Sequence, residues 1–177
     1  MGDPQWVDGL IGGALDFDGD GDYVDCGTDE VLNGLSERMT VATWVNIRSR
    51  PVAWMAIAVK GENAWRLSVN NETTGLHFGF TGGTRGWQGA NSVTEIPLEE
   101  WHHVAGVYDN EVGGTIYVDG VPETVNADLG GTDFNETPFY LGENSESAGR
   151  FLDGMLDEVR VYGRALSEEE ILYLASK

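Results

Sequence analysis

A single cysteine, Cys26, stands in this chain of 177 residues, so no disulfide can form within it and its stability must come from packing. Lysine is nearly as scarce, with Lys60 and Lys177 alone, and all Lys and Arg number 10 against 30 Asp and Glu. A formal charge of -20 repels phosphate backbones and anionic bilayers, which argues against nucleic acid and membrane partners. No apolar run approaches the ~18 residues of a membrane span, and the opening MGDPQW lacks the basic and apolar regions of a signal peptide. There is no internal repeat, no low-complexity segment and no change of composition that would mark a linker, so residues 1–177 read as one domain.

What the sequence does contain is a series of short apolar segments of period two, separated by Gly, Asn and Asp. Met39, Val41, Thr43, Val45 and Ile47 share one side of a segment; Met55, Ile57 and Val59 form a second row, and Leu76, Phe78 and Phe80 a third. Further strands are expected at 101–108, at 115–118, which runs into the turn pair Asp119-Gly120, and at 154–162. The pattern predicts an all-β fold. One helix is expected, at the C-terminus, where Ser167-Glu-Glu-Glu170 has the form of a capping box and Leu166 and Ile171 of a hydrophobic staple.

Gly12-Gly-Ala-Leu-Asp-Phe-Asp-Gly19, Thr40-Val-Ala-Thr-Trp-Val45, Trp101-His-His-Val-Ala105, Ile116-Tyr-Val-Asp-Gly120 and Gly154-Met-Leu-Asp-Glu-Val-Arg-Val-Tyr162 follow one another in an order and spacing that resembles the bacterial laminin-G-like branch of the concanavalin A-like lectin/glucanase superfamily. The resemblance implies a two-sheet antiparallel jelly-roll sandwich with the first and last strands close together. It also implies a module of a larger extracellular or cell-surface protein. The fold hosts lectins, adhesion modules and glycosidases alike, so function must be argued from a site.

Five aspartates lie between positions 16 and 25. Asp16-x-Asp18-x-Asp20-Gly21 opens like an EF-hand loop, but the twelfth position is Gly27 where a bidentate Glu is required, and no helices flank it. Asp16, Asp18 and Asp20 alternate along a strand as glycosidase carboxylates do, yet the Glu-x-Asp-x-x-Glu run of the fold's glycosidases is missing, so a non-enzyme is expected. Alternation puts Asp157 on the inward side with Val159 and Val161, where an ionised carboxylate needs hydrogen bonds or a cation. By the resemblance, which brings the first and last strands together, the expectation is a structural calcium ion held by Asp18 and Asp157, with Asp20 and Asp22 as weaker ligands. The competing expectation is that Asp157 accepts backbone N–H bonds.

The histidines suggest no catalysis. His102 and His103 are strand neighbours that point to opposite faces, His77 stands alone, and all three are read as structural. For a ligand, Trp54 is the first candidate, since alternation in Val52–Lys60 sends Trp54, Ala56 and Ala58 to the face opposite Met55, Ile57 and Val59. Trp87, set between Gly86 and Gln88-Gly89, is the second. Trp6, Trp44, Trp65 and Trp101 are read as structural. The expected function is a non-catalytic binding module for a glycan or another extracellular ligand, carbohydrate-binding or adhesive. The alternatives are a glycoside hydrolase and a purely structural or protein-interaction module.

Overall fold

The fold is seen in a computed structural model that describes residues 2–70, 73–82, 86–127 and 135–177, with Trp87 described by its backbone alone. In chain order the strands are β1 (Gln5–Asp8), β2 (Gly13–Asp18), β3 (Val24–Asp25), β4 (Arg38–Ile47), β5 (Ala56–Val59), β6 (Trp65–Val69), β7 (Leu76–Gly82), β8 (Gly86–Asn91), β9 (Trp101–Asp109), β10 (Gly113–Val118), β11 (Val121–Asn126), β12 (Tyr140–Leu141) and β13 (Asp153–Tyr162). Two helices accompany them, α1 (Glu30–Asn33) and α2 (Glu168–Ala175). Every strand pair is antiparallel, in a seven-stranded sheet β1-β2-β13-β4-β9-β10-β11 and a six-stranded sheet β3-β12-β5-β6-β7-β8. The expected two-sheet sandwich is therefore present, with β2 beside β13.

The core lies between the sheets and follows the period-two reading. Met39, Val41, Val45 and Ile47 of β4 meet Leu67 of β6 and Leu76, Phe78 and Phe80 of β7 across it. Glycines make the close approach possible: a Cβ on Gly106 would run into the Phe78 ring and one on Gly114 into the Phe80 ring. The Asp119-Gly120 hairpin between β10 and β11 has φ of 50° and 81°, the left-handed pair that suits the twist of the flanking strands.

Helix α2 covers the outside of the seven-stranded sheet, where Ile171 and Leu166 pack on Ala42, Ala105, Val107 and Tyr117. Its capping box is complete: Glu170 N–H donates to Ser167 Oγ at 3.3 Å, and Ser167 N–H donates to the Glu170 carboxylate at 2.9 Å.

Two bulges break the alternation expected from sequence. In β5 the register shifts between Ala56 and Ala58, so Ala58 joins Ile57 in the core while Val59 pairs with Arg66 on the other side. In β13 it shifts between Asp157 and Arg160, with Glu158 at φ 53°.

Candidate outer-face binding site

The six-stranded sheet gives its outer face two rows of residues. Trp65, Leu67 and Val69 of β6 enter the core, so Arg66 and Ser68 turn outward, as do His77, Gly79 and Thr81 of β7. Strand pairing aligns Asp25, Tyr140, Val59, Arg66, Gly79 and Gly89 into one row across the sheet, and Ala56, Ser68, His77 and Asn91 into the next. Two adjacent glycines leave room in the first row, and the His77 ring leans over them: a Cβ on Gly79 would lie 2.6 Å from His77 Nε2.

Trp54 reaches this face by a different route from the one expected. It precedes β5 in a turn, at φ 58°, a left-handed conformation that is unfavourable for a bulky side chain. Half-buried, its ring crosses above β6 to meet His77 edge-on, with centroids 5.0 Å apart, and the Arg66 guanidinium lies 5.1 Å from the indole centroid. The expectation that Trp54 shares an outward strand face with Ala56 and Ala58 is thus corrected. Trp54 is outside the strand, and the β5 bulge turns Ala58 inward.

The floor of the face is held by a carboxylate network. Glu62 accepts from Arg66 at 2.6 Å, from Asn144 Nδ2 at 2.6 Å and from Arg150. The buried Glu143 accepts from the backbone N–H groups of Asn144, Gly149 and Arg150, which fixes the loop that carries Arg150. Burial pulls the Arg66 and His77 pKa values below their ordinary values. His77 Nδ1 lies 2.7 Å from Asn91 Oδ1. Sequence reading missed Glu62, Arg66, Ser68 and Arg150 and classed His77 as structural. The alternation in Trp65-Arg-Leu-Ser-Val69 was the signal for Arg66 and Ser68, whereas nothing local announces Arg150.

Trp87 lies on β8, registered opposite Thr81, and its side chain is outside the described residues. Among the tryptophans read as structural, Trp65 is fully buried and Trp44 meets His103 edge-on, but Trp6 on the edge strand β1 is 76% exposed. His102 and His103 serve the Asp119 turn: His102 Nδ1 lies 2.9 Å from Asp119 Oδ2, and His103 N–H donates to Asp119 Oδ1. Burial pushes His103 down to about 4.

The aspartates turn a corner. Asp20 N–H donates to Asp18 Oδ1 at 2.8 Å, and Asp18 N–H donates to the buried Asp22 carboxylate at 3.2 Å. Burial raises the Asp22 pKa, and the nearby Asp18 charge adds to the rise. Asp16 pairs with Arg48, which also holds Asp153 at 2.7 Å.

The structure does not bring Asp18 and Asp157 together. Asp18 pairs with Asp153, and Asp157 lies four residues further along β13, about 13 Å at strand rise. Because of the β13 bulge, Asp157 registers with Trp44 on the outer side of the sheet, rather than inward with Val161. It is 3% exposed, and its Oδ2 accepts the Ile11 N–H at 2.7 Å. Asp18 and Asp157 therefore do not fit one calcium ion, and among the described residues no three His, Cys, Asp or Glu side chains gather in a metal-holding arrangement.

Comparison with known proteins places this geometry. No curated protein sequence matches the chain. Among solved structures, domain 4 of AbnA, a GH43 extracellular arabinanase from Geobacillus stearothermophilus in complex with arabinotriose, aligns at a TM-score of 0.78 and 22% identity, over 99% of this chain and 82% of that one. The binding domain of Paraclostridial Mosquitocidal Protein 1 gives a TM-score of 0.79 at 17% identity, over 97% of this chain and 45% of that one. Trypanosoma rangeli sialidase in complex with the inhibitor DANA gives 0.68 at 19% identity, over 94% of this chain and 28% of that one. At these identities the likeness is one of fold. The Laminin_G_3 family model matches residues 18–172, nearly the whole sandwich, and the chain belongs to that family of the concanavalin A-like lectin/glucanases superfamily.

Proposed function

We propose that the chain is a non-catalytic carbohydrate-binding module of an extracellular protein, and that its glycan lies on the outer face of the six-stranded sheet against Trp54. The observation that carries this reading is the half-buried indole held in a left-handed turn against Arg66 and His77. A backbone strain that persists is one the surroundings over-determine, and such strain clusters at ligand clamps. Sugars rest their C–H faces on indoles, while adjacent polar groups bind their hydroxyls. Domain 4 of the arabinanase, crystallised with arabinotriose, and a toxin binding domain share the fold, which supports a binding role and an extracellular setting. Hydrolysis through Asp16 and Asp18 lacks that support, since Asp16 is paired with Arg48 and Asp18 caps its own turn.

The test is a glycan array followed by titration calorimetry in calcium and in chelator. Trp54→Ala weakens the bound glycan by about 1–3 kcal/mol, the range known for base–aromatic stacking. Chelator leaves the affinity unchanged. An array without a single hit returns the module to a protein-interaction role, and release of reducing ends from a polysaccharide would make it an enzyme.

A further inference from the structure

Ser68 Oγ and His77 Nε2 are both screened from solvent, and neither has a hydrogen-bond partner among the described residues. The two residues are 1% and 8% exposed. They are direct cross-strand partners on the same outward face, which places their Cβ atoms about 5 Å apart. Buried polar groups are nearly always hydrogen-bonded, so two exceptions on adjacent strands call for a partner that the described residues do not supply.

The chemistry of that partner follows from the tautomer. Asn91 Oδ1 is an acceptor 2.7 Å from His77 Nδ1, so Nδ1 carries the proton and Nε2 presents a lone pair. Ser68 Oγ can donate or accept. The face thus offers an acceptor, leaning over Gly79, and a hydroxyl on the neighbouring strand, and both suit ligand hydroxyls. A carboxylate would meet a lone pair at Nε2, and the Arg66 and Arg150 guanidiniums already share Glu62. Trp54 meets His77 edge-on from its left-handed turn, which sets the indole beside the His77 ring.

We propose that Ser68 and His77 form the specificity pair for a neutral sugar. One sugar hydroxyl donates to His77 Nε2, another bonds Ser68 Oγ, and the Trp54 indole stacks on a C–H face of the same ligand. This rests on the carbohydrate-binding reading of the face, and adds to it the atoms that read the sugar.

Ser68→Ala separates the two ideas. Among the described residues the Ser68 hydroxyl bonds nothing, so its removal keeps or raises the melting temperature. Binding of a neutral trisaccharide, with arabinotriose and cellotriose as probes, weakens about three- to tenfold, the loss of one hydrogen bond. His77→Gln weakens it comparably, and the 15N resonance of His77 Nε2 moves on adding the trisaccharide to the native chain. If a trisaccharide binds in a Trp54-dependent way while Ser68→Ala and His77→Gln leave affinity unchanged, the pair holds a resident water and this proposal falls, with the carbohydrate reading intact. Tighter binding of 3′-sialyllactose than of either neutral sugar also overturns it. If no neutral glycan of the array binds at millimolar concentration this inference fails, and if no glycan binds at all the carbohydrate reading fails with it.

Discussion

At position 54 the backbone φ of 58° sets a bulky residue where glycine would be at ease. The αL conformation costs an L-residue about 1–2 kcal/mol, partly offset in glycine by its greater unfolded-state entropy. Trp54→Gly should therefore be more stable than Trp54→Ala by ~0.5–1 kcal/mol in denaturant titrations, while both lose glycan binding. Equal stability of the two variants would mean that the turn relaxes once the indole is gone. Asp157 gives a second single-residue test. Its carboxylate accepts the half-buried Ile11 N–H, so Asp157→Ala removes a charge-assisted hydrogen bond and costs about 1.5–3 kcal/mol. The loss should be the same in calcium and in chelator. A loss confined to calcium would restore the metal reading of this residue.

Among the elements, β4, β7 and α2 were legible in the sequence because their signals are local: alternation fixes which side of β4 and β7 is buried, and Ser167-x-x-Glu170 fixes where α2 starts. The bulges in β5 and β13 were not legible, because a one-residue insertion in register leaves the apolar pattern nearly intact while reversing every side chain beyond it. That reversal misassigned Ala58 and Asp157, and with Asp157 the calcium pair. Arg150 was hidden for another reason, since its partner Glu62 lies 88 positions away in sequence.

Helix α2 carries its own prediction. Arg164 and then the Ser167 N–H hold the Glu170 carboxyl down to about 2. A carboxyl depressed in the folded state stabilises it above the unfolded pKa, and that stabilisation is lost as pH falls through the folded pKa. The contribution of Glu170 is therefore present above 4.5 and disappears towards 2. Ser167→Ala should cost about 1 kcal/mol at neutral pH. The difference between Glu170→Gln and the native chain should shrink between pH 4.5 and 2 in urea titrations, and a constant difference would rule out the carboxylate half of the box.

For the molecule as a whole, a formal charge of -20 sets self-repulsion against a large inter-sheet core. Salt screens that repulsion, so raising NaCl from about 0.15 to 1 M should raise the melting temperature. A neutral sugar has no charge to screen, so its affinity should stay within about twofold over the same range. A steep fall in affinity with salt would point to an anionic ligand. The position of the ligand can be seen in a crystal structure of the chain soaked with the tightest-binding neutral oligosaccharide. The expected result is a sugar ring stacked on the Trp54 indole, with hydroxyls directed at Ser68 and His77 on the outer face of the six-stranded sheet. A sugar seated on the seven-stranded sheet, or at the Asp18–Asp22 turn, would contradict it.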